Sequence, residues 1–272
     1  DRSVLSSAIA VSSAYTQFAM FAGPAIGGWI IAHYSLTTAF VVNALGYVVF
    51  IGAFLCLRTP PGYQKPEIPP RSVMADILDG FAYIRNNAVI SPLLWLVLVS
   101  DALAMGFYHM VPAYSELVLG LGILGVSTIL ACRGLGATLA ALGLAHGGAQ
   151  AARIERVLWA SLIAMLALAV LVYTSNLYIA AAIACLMGFA GETRSTGTMT
   201  IIQLSVDENQ RGRVMGTMFM LSQLATGIGA YLIGAFAVSY GLQIPTMIGV
   251  VIGVAVWLAI YLQRSRSTIT GG

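Results

Sequence analysis

The sequence predicts an all-α integral membrane protein with eight transmembrane helices, and three observations carry that prediction. Only 8% of the 272 residues are Asp, Glu, Lys or Arg, and 59% are apolar. A soluble domain carries about 25% charge, which it needs to cover its surface. Apolar runs recur from one end of the chain to the other, and about 20 such residues cross about 30 Å of hydrocarbon as a helix. Every Lys and Arg outside these runs falls in alternate connections, as the positive-inside rule requires of a multi-pass protein.

The runs lie near Ala8–Ala32, Thr37–Leu57, Val89–Tyr114, Ile123–Ala145, Val157–Tyr173, Leu177–Leu204, Val214–Val238 and Pro245–Leu262. Barrel strands of about 10 residues would alternate polar and apolar positions, and these runs do not. Arg2 precedes the first span, and Arg58, Lys65, Arg71 and Arg85 follow the second. Arg153 and Arg156 follow the fourth, Arg211 and Arg213 the sixth, Arg264 and Arg266 the eighth. The connections between them, including Ser35 and Asn176, hold no cation. Both ends of the chain and the long connection after the second span are therefore expected on the cytoplasmic side.

The connection after the second span has its own order. Pro60, Pro61, Pro66, Pro69 and Pro70 keep its first half extended. From Arg71 to Asn86, apolar Val73, Ile77, Phe81 and Ile84 recur at helical spacing. This predicts an amphipathic helix on the inner membrane surface, a solvated linker helix being the alternative. Laying the first pair of spans over the last aligns Gln17 with Gln223, Gly23 with Gly229, Gly28 with Gly234, Tyr34 with Tyr240 and Leu36 with Leu242. The starts of the two pairs lie six spans apart. A parallel six-span repeat is the arrangement of a two-halved secondary transporter. The expectation is a twelve-helix fold whose N-terminal four helices precede Asp1. Residues 1–58 then hold the last two helices of the first half, 59–88 the linker, 89–266 the six-helix second half and 267–272 a cytoplasmic tail.

Several function classes are excluded. A net charge of +3 is too small for nucleic-acid binding. Cys56, Cys132 and Cys185 sit in apolar runs at no zinc or disulfide spacing. No metalloprotease, nucleophile-elbow or phosphate-loop motif occurs, so neither an enzyme nor a bound cofactor or metal is expected. The partners expected are the lipid bilayer, a small-molecule substrate and protons, with the protein a monomer.

Glycines at 23, 27 and 28 remove side chains from one helix end, so a neighbouring backbone can come close, and Pro24 favours a bend. Ordinary small-residue packing explains the same pattern. Gly212 between Arg211 and Arg213 fits a sharp turn that Asp207 could fix by pairing with an arginine, unless these arginines are only topogenic anchors. Buried charges carry more information, because a charge at the bilayer centre costs about 2.5–3.5 kcal/mol and normally faces a cavity or a partner. Asp101 and Arg133 lie deep in the third and fourth spans, Glu192 and Arg194 in the cytoplasmic-side half of the sixth. Residues two apart on a helix point to different sides, so the expected pairs are Glu192–Arg133 or Asp101–Arg133. Met105 and Tyr108 share a face with Asp101 and could line an amphipathic cavity, with Phe107 and Phe189 as further candidates. Burial and a nearby arginine act oppositely on a carboxylic acid's proton affinity. Asp101 or Glu192 could thus titrate in competition with substrate, or be locked in a permanent ion pair. Glu116 and His109 are expected at the outer rim.

The chain resembles the major facilitator superfamily from its fifth helix to its twelfth. Within it, the likeness is to the bacterial exporter branch that includes enterobactin exporters and macrolide efflux proteins. Gly23-Pro24-Ala25-Ile26-Gly27-Gly28 is similar to the fifth-helix motif of drug:proton antiporters. Gln203-Leu204-Ser205-Val206-Asp207, running into Arg211-Gly212-Arg213-Val214, resembles the turn between helices ten and eleven of that branch. The resemblance implies proton-coupled efflux of a small amphipathic organic molecule, drug-like or siderophore-like, by alternating access. An importer of the same superfamily and a non-transporting scaffold or receptor-like body are the alternatives.

Overall fold

The computed structural model describes residues 19, 22, 23, 26–56, 72–87, 89–147 and 153–270. Among them the chain is helical apart from short turns, and no strand occurs. In chain order the helices are α1 (Leu36–Leu55), α2 (Val73–Asn86), α3 (Ile90–Tyr108), α4 (Val111–Tyr114) and α5 (Gly122–Gly147). α6 (Ile154–Leu171), α7 (Leu177–Ser205), α8 (Glu208–Tyr240) and α9 (Gln243–Thr270) complete the series. Seven of the described helices are long and apolar enough to cross a membrane, all but α2 and α4. They answer to the second through eighth predicted spans. The first, Ala8–Ala32, lies largely outside the described residues, of which 26–33 are helical. The proline-rich first half of the linker and Pro24 also lie outside them.

Local chemistry starts and stops these helices. Ser35 Oγ accepts from the Thr38 amide to open α1, and Asn176 Oδ1 accepts from Tyr178 and Ile179 to open α7. Gly120 and Gly241 take φ of +66° and +70° at the turns before α5 and after α8, a region that favours a residue without Cβ. Inside the spans, several hydroxyls bond back to their own helix. Thr138 donates to Gly134 O at 2.9 Å and Ser161 to Val157 O at 2.8 Å. Such back-bonding lets a polar side chain sit in hydrocarbon without an orphan donor.

The expected continuous span Val89–Tyr114 is broken in the structure. α3 becomes π-helical over Asp101–Met105, turns at His109 and Met110, and resumes as α4, with a second π-helical stretch over Ser115–Leu119. A π turn accommodates one extra residue and shifts every later side chain around the axis. The first of these turns lies where α3 meets α8: Gly229 lies against the Ala102 backbone, and Gly106 against Gly229 and Ala230. Glycine also brings α5 onto α7, with Gly136 against Cys185 and Gly188 against the Arg133 carbonyl. Backbones that touch in this way gain dispersion contact, which is what holds helices together where lipid is as apolar as leucine.

Three buried clusters fill the bundle. Phe107, Tyr114, Ile129 and Leu168 join α3 and α4 to α5 and α6, and the Tyr114 hydroxyl donates to Thr174 O at 2.5 Å. Leu93, Leu158, Ile201 and Trp257 join α3, α6, α7 and α9, the Trp257 indole donating to Leu158 O at 2.8 Å. Ile84, Ile90, Val97, Ile202 and Val214 dock α2 against the start of α3 and the facing ends of α7 and α8.

α2 is thus seated on the bundle. Gly80 packs against Thr217 and the Arg213 backbone, and Asp76 and Asp79 lie 2.9 Å and 3.8 Å from the Arg213 guanidinium. The predicted single apolar face is divided: Ile84 turns inward, whereas Phe81, with Met74 and Leu78, faces outward. Arg264 pairs with Glu155 at 2.9 Å, placing α9's C-terminal end beside the start of α6.

Candidate functional site

Four helices converge on one cavity of about 510 Å³. α3 contributes Asp101, Met105 and Tyr108, the turn after it His109, and α5 Arg133. α7 adds Arg194 and Thr198, and α8 adds Ser222 and Gln223. Volumes of roughly 300–1,000 Å³ suit a single small organic ligand. Methionines at 105, 199, 215 and 218 line much of the remaining wall, and their flexible thioethers adapt to different shapes.

Asp101 opens the π-helical stretch of α3 and is buried. Its Oδ1 accepts from Arg194 Nη2 at 2.5 Å, and its Oδ2 accepts from the Ser222 hydroxyl. One carboxylate thereby ties α3 to α7 and α8. Arg194 is buried as well. The pair replaces the expected Asp101–Arg133 and Glu192–Arg133 contacts. The reason is helical rotation: Arg194 and Glu192 point to different sides of α7, and it is Arg194 that faces α3. Glu192 accepts from Thr196 Oγ1 on its own helix at 2.6 Å and does not line the cavity.

Arg133 stands near the middle of the 26-residue α5. Its guanidinium carbon lies 4.3 Å from the Tyr108 ring centroid, and Nη2 lies 3.3 Å from Met105 Sδ. These contacts hold the group over a π face and against a soft acceptor. Neither neutralises its charge.

The other candidates separate from this site. Phe107 is buried in the core, and Phe189 lines a different groove between α5, α6 and α7. Glu116 is exposed; His109, expected at the outer rim, is exposed and also borders the cavity. Of the Gly23–Gly28 motif, Gly28 is buried against Ser127 of α5, while Gly23 and Gly27 have open space where a Cβ would stand. The cytoplasmic-turn reading needs a larger correction. Gly212 is in α8, which starts at Glu208; it takes no positive φ, and the turn lies at Val206 and Asp207. Asp207 caps α8 with its backbone carbonyl, which accepts from the Gln210 and Arg211 amides. Arg213 pairs with Asp76 and Asp79 instead of Asp207, and the buried Arg211 Nε has no hydrogen-bond partner among the described residues.

Sequence reasoning missed Ser222, Thr198 and the Arg213 clamp. Two acids three apart on the amphipathic α2 were a usable signal for the clamp. Ser222 and Thr198 look like any other hydroxyl residue in a span.

A family model for the major facilitator superfamily matches residues 2–171 and 134–271. The chain belongs to the major facilitator superfamily. No curated protein gave a significant match. As a superfamily member with seven membrane-length helices among its described residues, the protein is a multi-pass secondary transporter. The cavity between α3, α5, α7 and α8 is then the candidate substrate path of this transporter.

Proposed function

We propose that this superfamily member is a proton-coupled exporter of a small amphipathic organic molecule, working by alternating access in the bacterial inner membrane. One observation supports the reading above the others: a buried carboxylate, Asp101, stands in the wall of a ligand-sized cavity and joins three helices through Arg194 and Ser222. Protonating Asp101 removes one charge of the ion pair and weakens the tie between α3, α7 and α8. Proton binding and helix movement are then the same event, as coupling requires. Intramembrane acids of this kind mark proton relays in transporters. The reading keeps the twelve-helix arrangement, with four helices before Asp1 and residues 59–88 linking the halves. It also keeps the antiporter-like role of the Gly23–Gly28 segment as a seal between them, and both ends of the chain on the cytoplasmic side.

The test uses inverted membrane vesicles with a proton gradient reported by acridine orange, challenged with a panel of amphipathic compounds. The expected result is compound-induced proton release by the wild-type protein, lost in Asp101→Asn and kept in Glu192→Gln. Thermal unfolding in detergent establishes that Asp101→Asn is folded, and Asp101→Glu should restore part of the signal. Undiminished release by a folded Asp101→Asn would defeat the proposal. Uptake driven by the same gradient in right-side-out vesicles would favour the importer reading.

A further inference from the structure

We infer that the cavity selects organic anions and that Arg133 is the group that binds their negative charge. This rests on the transport reading of the cavity and adds a substrate class to it. The ionisable groups in the cavity wall are Asp101, Arg133, Arg194 and His109. Both oxygens of Asp101 are engaged, one by Arg194 and one by Ser222. That carboxylate balances Arg194, and even a neutral His109 leaves the Arg133 charge uncompensated. Among the described residues no carboxylate lies within ion-pair distance of Arg133; its contacts are the Tyr108 ring and Met105 Sδ.

A guanidinium has five N–H donors in a planar fork suited to a carboxylate or phosphate. At mid-membrane depth an uncompensated cation is costly, and it normally faces a partner or a water-filled cavity. Tyr108 and Met105 hold the group in place without consuming its charge. The close approach of α5 to α7 also fixes its position, since the Arg133 carbonyl lies against Gly188. The site is therefore built to present a cation to the cavity.

A second observation points to a ligand independently. Thr198 is buried in the same wall, one turn beyond Arg194, and its hydroxyl has no hydrogen-bond partner among the described residues. An orphan buried hydroxyl is rare in a protein interior and marks a missing polar group. The methionine-rich surface between these polar points suits an apolar body. The ligand class is an organic molecule with one anionic group, an apolar or aromatic skeleton, and a further hydrogen-bonding group.

Three naphthyl probes of nearly equal size test this at equilibrium, with no gradient: naphthylacetate, naphthylethanol and naphthylethylammonium. Binding is measured by calorimetry on the purified protein in detergent. The wild-type protein should bind the anion at least roughly tenfold more tightly than the cation, with the alcohol between them, as a charge-assisted contact implies. Arg133→Gln should cost the anion roughly tenfold and leave the alcohol unchanged, and Arg133→Lys should recover part of the loss. Thermal unfolding separates a folded Arg133→Gln from a collapsed one, and Arg133→Lys carries the test should Gln not fold. Equal affinity for the three probes, binding of none, or an anion preference that survives in Arg133→Gln would each overturn the inference. Proton release in the vesicle assay is a separate readout, so anion selectivity can fail while the transport reading stands.

Discussion

At the scale of single residues, Asp101 and Arg194 are worth more together than either is alone. Each is buried, so removing one leaves the other as an unpaired charge in a low-dielectric wall. Arg194→Met should destabilise the protein by about 3–5 kcal/mol, the usual consequence of breaking a buried pair from one side. The double variant Asp101→Leu with Arg194→Met should recover most of that loss, because an apolar pair of similar volume needs no desolvation. Thermal unfolding in detergent checks both, and a double variant no more stable than the single one would refute the account. The exposed pair Arg264–Glu155 is a different case: both partners are well solvated, and such pairs contribute about 0–1 kcal/mol. The sequence puts Asp101, Arg133 and Arg194 inside apolar runs, but the expected pairs with Arg133 give way to Asp101–Arg194. Membership of a run is legible from composition. The direction of a side chain around the helix axis is not, because in a bilayer the lipid-facing side is as apolar as the side facing a neighbour.

At the scale of elements, glycine position sets which helices touch. A Cβ at Gly136 would meet the Cys185 and Phe189 backbone, and backbone cannot give way as a flexible side chain can. Gly136→Val should therefore force α5 off α7 and cost about 1–3 kcal/mol. Gly143→Ala, on the same helix with open space around it, should be neutral or stabilising by up to about 1 kcal/mol through helix propensity alone. Comparing the two melting temperatures tests whether the contact or the residue type matters. The extents of α5, α6 and α7 were readable from apolar runs, whereas the capping of α7 by Asn176 emerges only in the structure. The π-helical stretch after Asp101 was not readable, because it is imposed by the fit of α3 against Gly229 of α8, a partner far away in sequence. The start of α8 was missed for a related reason: Arg211-Gly212-Arg213 has the composition of a turn, yet Arg213 is drawn into helix by the two acids of α2.

For the whole molecule, the distribution of cations governs orientation. On a background without Cys56, Cys132 and Cys185, Ser35→Cys and Asn176→Cys should react with a membrane-impermeant maleimide from outside intact cells, and Ser205→Cys only after the membrane is opened. Reaction of Ser205→Cys in intact cells would reverse the proposed topology. The helices also differ in what they ask of one another. α3, α6 and α7 bury parts of their length in the bundle, and α3 and α7 do so around a shared ion pair. α3 and α7, with an acid and an arginine to shelter, have reason to wait until they meet. Their shared charge pair thus couples the settling of α3 in the bilayer to that of α7.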